Sequence, residues 1–105
     1  MTSATERVAE LTKEPIVLFT KSWCPYCTDS KNVFKKLGYQ FTVYDLDQMS
    51  DGNELQDALE QVTGQRTVPN NFIGGKSVGG NSDLQALYAK GKLAGLLEAA
   101  GAVKV

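Results

Sequence analysis

An α/β domain, a four-stranded mixed sheet flanked by helices on both faces, is predicted by three features of the chain. A continuous apolar run of strand length, Ile16-Val17-Leu18-Phe19-Thr20, is followed by a helical pattern and then by a second strand-like segment. That order makes a βαβ unit with a parallel strand pair and a right-handed crossover. Farther on, two short runs flank Gly74-Gly75, the mark of an antiparallel hairpin. Helical spacing before the first strand and after the hairpin supplies the covering layers.

Each element has its own local reason. From about Ala4 to Lys13, Val8, Leu11 and Thr12 recur at helical spacing, and Pro15 closes the pattern because the residue before a proline avoids the helical region. Ile16 to Thr20 reads as a central strand covered on both faces, since it is apolar without alternation. Pro25 suits the first position of the next helix, where no N–H is needed. Val33, Phe34 and Leu37 form that helix's apolar side, Lys31, Lys35 and Lys36 lie elsewhere around it, and Gly38 ends it. Tyr39 to Leu46 alternates roughly and reads as a second strand, with Phe41 and Val43 on one face.

The most regular helix follows Asp51-Gly52-Asn53-Glu54, where Leu55, Ala58, Leu59 and Val62 stand at i, i+3, i+4 and i+7 before Gly64. The hairpin pairs Asn71-Phe72-Ile73 with Lys76-Ser77-Val78. Leu84, Leu87 and Tyr88, then Leu93, Leu96, Leu97 and Ala100, mark two final helices. The resulting order of helix, strand, helix, strand, helix, hairpin, helix, helix is that of a thioredoxin-like fold, expected as a single domain over residues 1–105.

Composition narrows the function. The 105 residues, 42% of them hydrophobic, suffice for one core. Eleven Lys and Arg against 12 Asp and Glu give a net charge of −1 with no long run of one sign, which argues against nucleic acid as a partner. Histidine is absent, which removes the usual general base and the commonest metal ligand. No stretch approaches the roughly 20 apolar residues of a membrane span, and no apolar core of about 7–15 residues follows a basic start as in a signal peptide. Two cysteines are too few for a secreted disulfide scaffold, so a reducing compartment, the cytoplasm, is expected.

The chemistry concentrates in Thr20-Lys21-Ser22-Trp23-Cys24-Pro25-Tyr26-Cys27, which holds both cysteines and the only tryptophan. At i and i+3 in a first helical turn, two sulfurs share one face at a spacing that a disulfide can bridge. Cys24 falls at the helix N-terminus, where free N–H groups and the macrodipole favour a thiolate, and Lys21 adds positive charge. Cys24 is therefore expected at the surface as the attacking nucleophile. Cys27, one turn inward, is expected to stay protonated and to resolve mixed disulfides. A structural zinc site is disfavoured, because it needs four Cys or His ligands and the chain offers two; no metal ligands are assigned. Trp23 suits either the rim beside the thiol or the core.

Three segments together resemble the signature motifs of dithiol glutaredoxins: Cys24-Pro25-Tyr26-Cys27, Thr67-Val68-Pro69-Asn70 and Gly79-Gly80-Asn81-Ser82-Asp83. Their order and spacing match over nearly the whole chain. The resemblance implies glutathione as co-substrate with no tightly bound cofactor, and glutathionylated or disulfide-containing proteins as partners of a monomer. It implies a cis bond before Pro69, with Thr67, Val68 and Pro69 facing the cysteines and the Val68 backbone pairing with the cysteinyl part of glutathione. Ser82 and Asp83 would hold the γ-glutamyl carboxylate and amine. Lys21, Gln56 and Arg66 would face the glycyl carboxylate, and Tyr26 would flank the tripeptide.

Taken singly, these residues also have plainer readings: Ser82 and Asp83 as a helix cap, Thr67 and Pro69 as a turn, Lys21 and Arg66 as solvated charges. Two other functions compete at the whole-chain level. One is a dimer holding a [2Fe–2S] cluster through glutathione, disfavoured by Pro25 because cluster-binding relatives carry Gly or Ser there. The other is a thioredoxin-like reductase fed by a flavoenzyme, although thioredoxins usually carry Gly-Pro between their cysteines. Asn71 stands where an apolar strand residue is more usual, which puts the sheet packing around it in question.

Overall fold

The computed structural model describes residues 3–105. Its elements run α1 (Ala4–Leu11), β1 (Ile16–Thr20), α2 (Pro25–Leu37), β2 (Thr42–Asp45), a 3-10 turn (Leu46–Gln48), α3 (Gly52–Thr63), β3 (Asn70–Ile73), β4 (Lys76–Gly79), α4 (Asn81–Ala89) and α5 (Leu93–Ala99). The sheet order is β2-β1-β3-β4, with β1 parallel to β2 and antiparallel to β3, and β3 antiparallel to β4. This is the predicted mixed four-stranded sheet of a thioredoxin-like fold. No helix among the described residues is long and apolar enough to cross a membrane.

Strand periodicity divides β1 between two cores. Ile16 and Leu18 point to one face with Val33 and Phe34 of α2, Leu84 of α4, and Leu93 and Leu97 of α5. Val17 and Phe19 point to the other, with Val8 of α1 and Leu55, Ala58 and Leu59 of α3. All five β1 residues are buried, as expected of a strand covered on both sides. Burying each large apolar side chain contributes about 1.5–3 kcal/mol, so the sheet is pinned from both faces.

Several boundaries and faces differ from the sequence reading. The helix expected from Ala4 to Lys13 ends at Leu11, and the Thr12 hydroxyl turns back to donate to the Val8 carbonyl at 2.8 Å. The strand expected from Tyr39 to Leu46 is only Thr42–Asp45. Tyr39 instead forms an isolated bridge with Lys104, and the Gln40 and Val105 amides donate to Val103 and Gly38 carbonyls. The C-terminal segment thus takes backbone partners that would otherwise extend the strand. Val62, expected on the buried side of α3, is 54% exposed because it borders an open hollow beside α1 and the Gly74-Gly75 turn.

The hairpin begins at Asn70, and Gly74 and Gly75 both have positive φ, 61° and 81°, as a two-residue turn matching the strand twist requires. Between Phe72 and Asn71, β4 advances two residues, Ser77 to Gly79, while β3 advances one, which makes a bulge. Both polar residues opening β3 are buried. Asn70 donates to Thr63 Oγ1 at 3.1 Å and accepts from Ser77 Oγ at 2.6 Å. Asn71 donates to Gly79 O at 3.2 Å and to Ser30 Oγ at 3.4 Å, while its Oδ1 is the one buried side-chain oxygen or nitrogen without a partner among the described residues. Such an unmatched group costs about 1–3 kcal/mol. The sheet therefore packs around Asn71, at a local cost.

Candidate active site

The loop after β1 delivers Cys24 to the N-terminus of α2. Cys24 is the N-cap residue, with extended φ and ψ of −89° and 114°, Pro25 follows in the first turn, and the Cys27 amide donates to Cys24 Sγ at 3.3 Å. A thiolate accepts that bond better than a thiol does, so one of the helix's orphan donors is aimed at the sulfur. The loop is held from the opposite side by Asp47, whose carboxylate accepts from the Ser22 hydroxyl and, at 3.0 Å, from the Ser22 amide. Those two donors lower the Asp47 carboxyl pKa. The far end of α2 is closed by the Tyr39 and Gly38 amides on Phe34 and Lys35 carbonyls, and by Lys104 Nζ on Leu37 O at 3.0 Å.

Both thiols are unpaired. Cys27 is 1% exposed, and burial, seconded by its hydrogen bond with Cys24, pushes its pKa from 9.0 up to about 12. Cys24 differs from expectation: it is only 7% exposed, because the Val68 segment lies over it, with Sγ 3.8 Å from Val68 O. Trp23 and Tyr26, 69% and 65% exposed, form the outer rim, which assigns Trp23 to the rim.

Beside the thiols lies a groove of about 410 Å³ lined by Tyr26, Thr67, Val68, Pro69, Ser82 and Asp83, with Gln65, Gly80 and Asn81 completing it. The Val68–Pro69 bond is cis. Six of the nine residues singled out beside the cysteines therefore meet in one place, drawn from α2, the loop before β3 and the start of α4. The other three stand outside the lining. Lys21 Nζ lies 5.8 Å from the centre of the Trp23 ring, Gln56 donates to Arg66 O at 2.9 Å, and Arg66 is paired with Asp57 and, at 3.6 Å, with Glu60. A hollow of about 590 Å³ between α1 and the Gly74-Gly75 turn contains neither cysteine nor any predicted site residue.

The wall formed by α4 is shaped by Gly79 and Asp83. Gly80 is the N-cap, Asn81 to Asp83 make the first turn, and Asp83 Oδ2 accepts from the Gly80 amide at 3.1 Å. The Asn81 and Ser82 amides precede the first intrahelical donor, Leu84, and so are available to an anion. Gly79 has φ +101°, and a Cβ there would stand 2.2 Å from Asp83 Oδ2, so no other residue fits without moving the carboxylate.

Gln65 was not foreseen from the sequence. Its amide donates to both Thr67 O and Pro69 O at 2.9 Å, bracing the loop that covers Cys24. Its only sequence signal is position, two residues before Thr67. Among the described residues no group of three or more His, Cys, Asp or Glu side chains could hold a metal ion. Chemically, the arrangement offers one sulfur at a helix N-terminus, a second protonated sulfur behind it, and a groove whose lining includes the Asp83 carboxylate, capped on one oxygen by the Gly80 amide, and the first amides of α4.

Residues 16–78 match the family model described as Glutaredoxin. The chain is 54% identical over 89 residues to a glutaredoxin of Vernicia fordii, covering 85% of this chain and 86% of that protein. It is 53% identical over 89 residues to glutaredoxin-C6 of Oryza sativa subsp. japonica, covering 85% and 80%. Among solved structures, a buckwheat glutaredoxin–glutathione complex superposes with a TM-score of 0.92 at 44% identity, covering 95% of this chain and 92% of that one.

Proposed function

The chain belongs to the glutaredoxin family, and on that premise we propose that it is a glutathione-dependent thiol-disulfide oxidoreductase that removes glutathione from proteins and reduces protein disulfides. The observation that carries this reading is the position of Cys24 Sγ, which accepts the Cys27 amide at a helix N-terminus and lies 3.8 Å from the carbonyl of Val68, a residue that lines the groove.

In the proposed reaction Cys24 thiolate attacks the glutathione sulfur of a mixed disulfide. A new S–S bond forms to Cys24 as the old one breaks, and the electron pair leaves on the protein's thiolate, which takes up a proton. A second glutathione thiolate then attacks the Cys24-bound glutathione, giving glutathione disulfide and free Cys24 thiolate. For a protein disulfide, Cys24 thiolate attacks one sulfur and the other leaves as a thiolate that takes up a proton; Cys27 then loses its proton, attacks Cys24 Sγ and releases the second substrate thiolate, and two glutathiones reduce the resulting Cys24–Cys27 disulfide while becoming glutathione disulfide. Exchange proceeds by thiolate attack on one sulfur of a disulfide while the other leaves as thiolate, so Cys24 Sγ is the attacking sulfur in the first step and the leaving sulfur in the second.

Within the groove, Val68 would pair with the cysteinyl backbone of glutathione, Thr67 and Pro69 would shape its bed, and Tyr26 would flank it. Ser82 with the α4 amides would take the γ-glutamyl carboxylate, and Asp83 the amine. Lys21, and beyond it Gln56 and Arg66, would face the glycyl end. The same reading has a monomer acting on glutathionylated proteins in the reducing cytoplasm. The test is turnover of a small glutathione mixed disulfide with glutathione present. Cys24→Ser should abolish it, and Cys27→Ser should retain most of it because the first route never uses Cys27; equal loss in both variants rejects this division of roles.

A further inference from the structure

Behind the groove, a chain of side chains, buried at Ser30 and Asn71 and half-buried at Asn81 and Gln85, joins its three walls. Ser30, on α2 one turn beyond Cys27, and Asn71, on β3 two residues beyond Pro69, are both 0% exposed. The Ser30 hydroxyl donates to Asn81 Oδ1 at 3.1 Å, at the start of α4. Asn71 Nδ2 donates to Ser30 Oγ at 3.4 Å and to Gly79 O at 3.2 Å, and Gln85 closes the chain on Asn81 Oδ1 at 3.2 Å. Neither Ser30 nor Asn71 lines the groove.

Stability does not explain this pair. It sits on the side of the sheet where α2, α4 and β3 otherwise meet through Val33, Phe34, Leu84 and Ile73, and it leaves Asn71 Oδ1 without a partner. Apolar side chains of similar shape would fill the space without that unmatched oxygen, and replacing both partners of a buried polar contact in this way is often neutral or stabilising. What a directional bond adds over apolar packing is a defined distance and register between the elements it joins.

We propose that Ser30 and Asn71 are positioning residues that fix the width of the groove, holding the α4 wall at the distance from Cys24 that glutathione spans. The inference rests on the glutathione reading above. A glutathione lying between the Val68 backbone and the α4 N-terminus gains its bonds at both ends only if the two walls keep one separation. Without the tether the walls are held by apolar contacts that tolerate sliding, and the ligand must order them when it binds.

The test uses the full chain with Ser30→Ala/Asn71→Leu, and with Ser30→Ala and Ser30→Thr separately in case the double variant folds poorly. Three quantities are read: the glutathione concentration for half-maximal turnover of a small mixed disulfide, the rate of Cys24 alkylation by iodoacetamide, and Tm. The double variant and Ser30→Ala are expected to raise the half-saturating glutathione concentration by about threefold to tenfold, the size of one or two hydrogen bonds' net contribution. Alkylation of Cys24 should be unchanged and Tm of the double variant equal or higher, while Ser30→Thr, which keeps the hydroxyl, returns half-saturation close to wild type. Unchanged half-saturation in Ser30→Ala and the double variant, a rise in the double variant that comes with a falling Tm, or no recovery in Ser30→Thr overturns the tether. A wild type whose turnover ignores glutathione overturns the functional reading itself, a failure visible before any variant is made.

Discussion

Gly79→Ala probes the shape of the α4 wall directly. At φ +101° an L-residue costs about 1–3 kcal/mol. The new Cβ would also stand 2.2 Å from Asp83 Oδ2, 2.8 Å from its Cγ and 3.0 Å from its Cβ, so rotating the carboxylate alone does not clear it and the side chain must leave. Asp83 then gives up its 3.1 Å bond from the Gly80 amide and its place in the first turn of α4, together worth about 1 kcal/mol. The sum is about 2–4 kcal/mol, and at about 4–8 °C per kcal/mol for a domain of this size Tm should fall by roughly 10 °C or more. Since Asp83 is the proposed partner of the γ-glutamyl amine, half-saturating glutathione should rise by about tenfold. The assay is a thermal melt paired with glutathione titration of turnover, with Asp83→Ala alongside. Asp83→Ala should match the loss of glutathione affinity while losing only about 1 kcal/mol of stability, because it keeps Gly79. A Gly79→Ala protein that melts within about 2 °C of wild type and keeps its glutathione dependence would refute the close approach on which this rests.

Two further outcomes follow from the loop and from the second thiol. Gln65→Ala removes both bonds that brace Thr67 and Pro69, so it should cost about 1–2 kcal/mol in denaturant titration and speed alkylation of Cys24, which the loop covers; unchanged alkylation would show that the loop holds without it. Cys27, raised from 9.0 to about 12 chiefly by burial, is protonated in the fold at pH values where the unfolded chain releases the proton. Its contribution to stability is therefore complete below pH 9 and lost as pH rises from 9 towards 12. Wild type should lose more stability than Cys27→Ser across that window, and parallel losses would contradict a buried thiol.

How much of this was legible in the sequence depends on how local the cause is. The unbroken apolar run of β1 and the 3.6-residue spacing of Leu55, Ala58 and Leu59 are set within a few residues, and both elements form where the pattern places them. The three segments singled out in the sequence come together in the fold, and six of the nine residues named beside the cysteines line one groove. Misreadings arose where a distant segment decides. Tyr39 looks like the first residue of a strand until the C-terminal Lys104 pairs with it, and Val62 keeps the helical spacing but borders the hollow beside α1 instead of packing into the core. Cys24 reads as exposed from its helix N-terminus alone, because the covering segment lies 44 residues away in sequence. Asn71 reads as a polar residue out of place in an apolar strand, and its partner Ser30 carries no sequence signal of its own, because the two meet only once β3 and α2 are packed together.

The most direct trial of Cys24 as the sulfur that carries glutathione is covalent capture. Cys24→Ser and Cys27→Ser proteins, each with one remaining thiol, are incubated with glutathione disulfide at neutral pH under native conditions and weighed intact by mass spectrometry. Cys27→Ser should gain one glutathionyl group, released again by added glutathione, while Cys24→Ser, left with a buried protonated thiol, should gain none. Capture on Cys27 in the Cys24→Ser protein, or no capture in Cys27→Ser, would contradict the assignment.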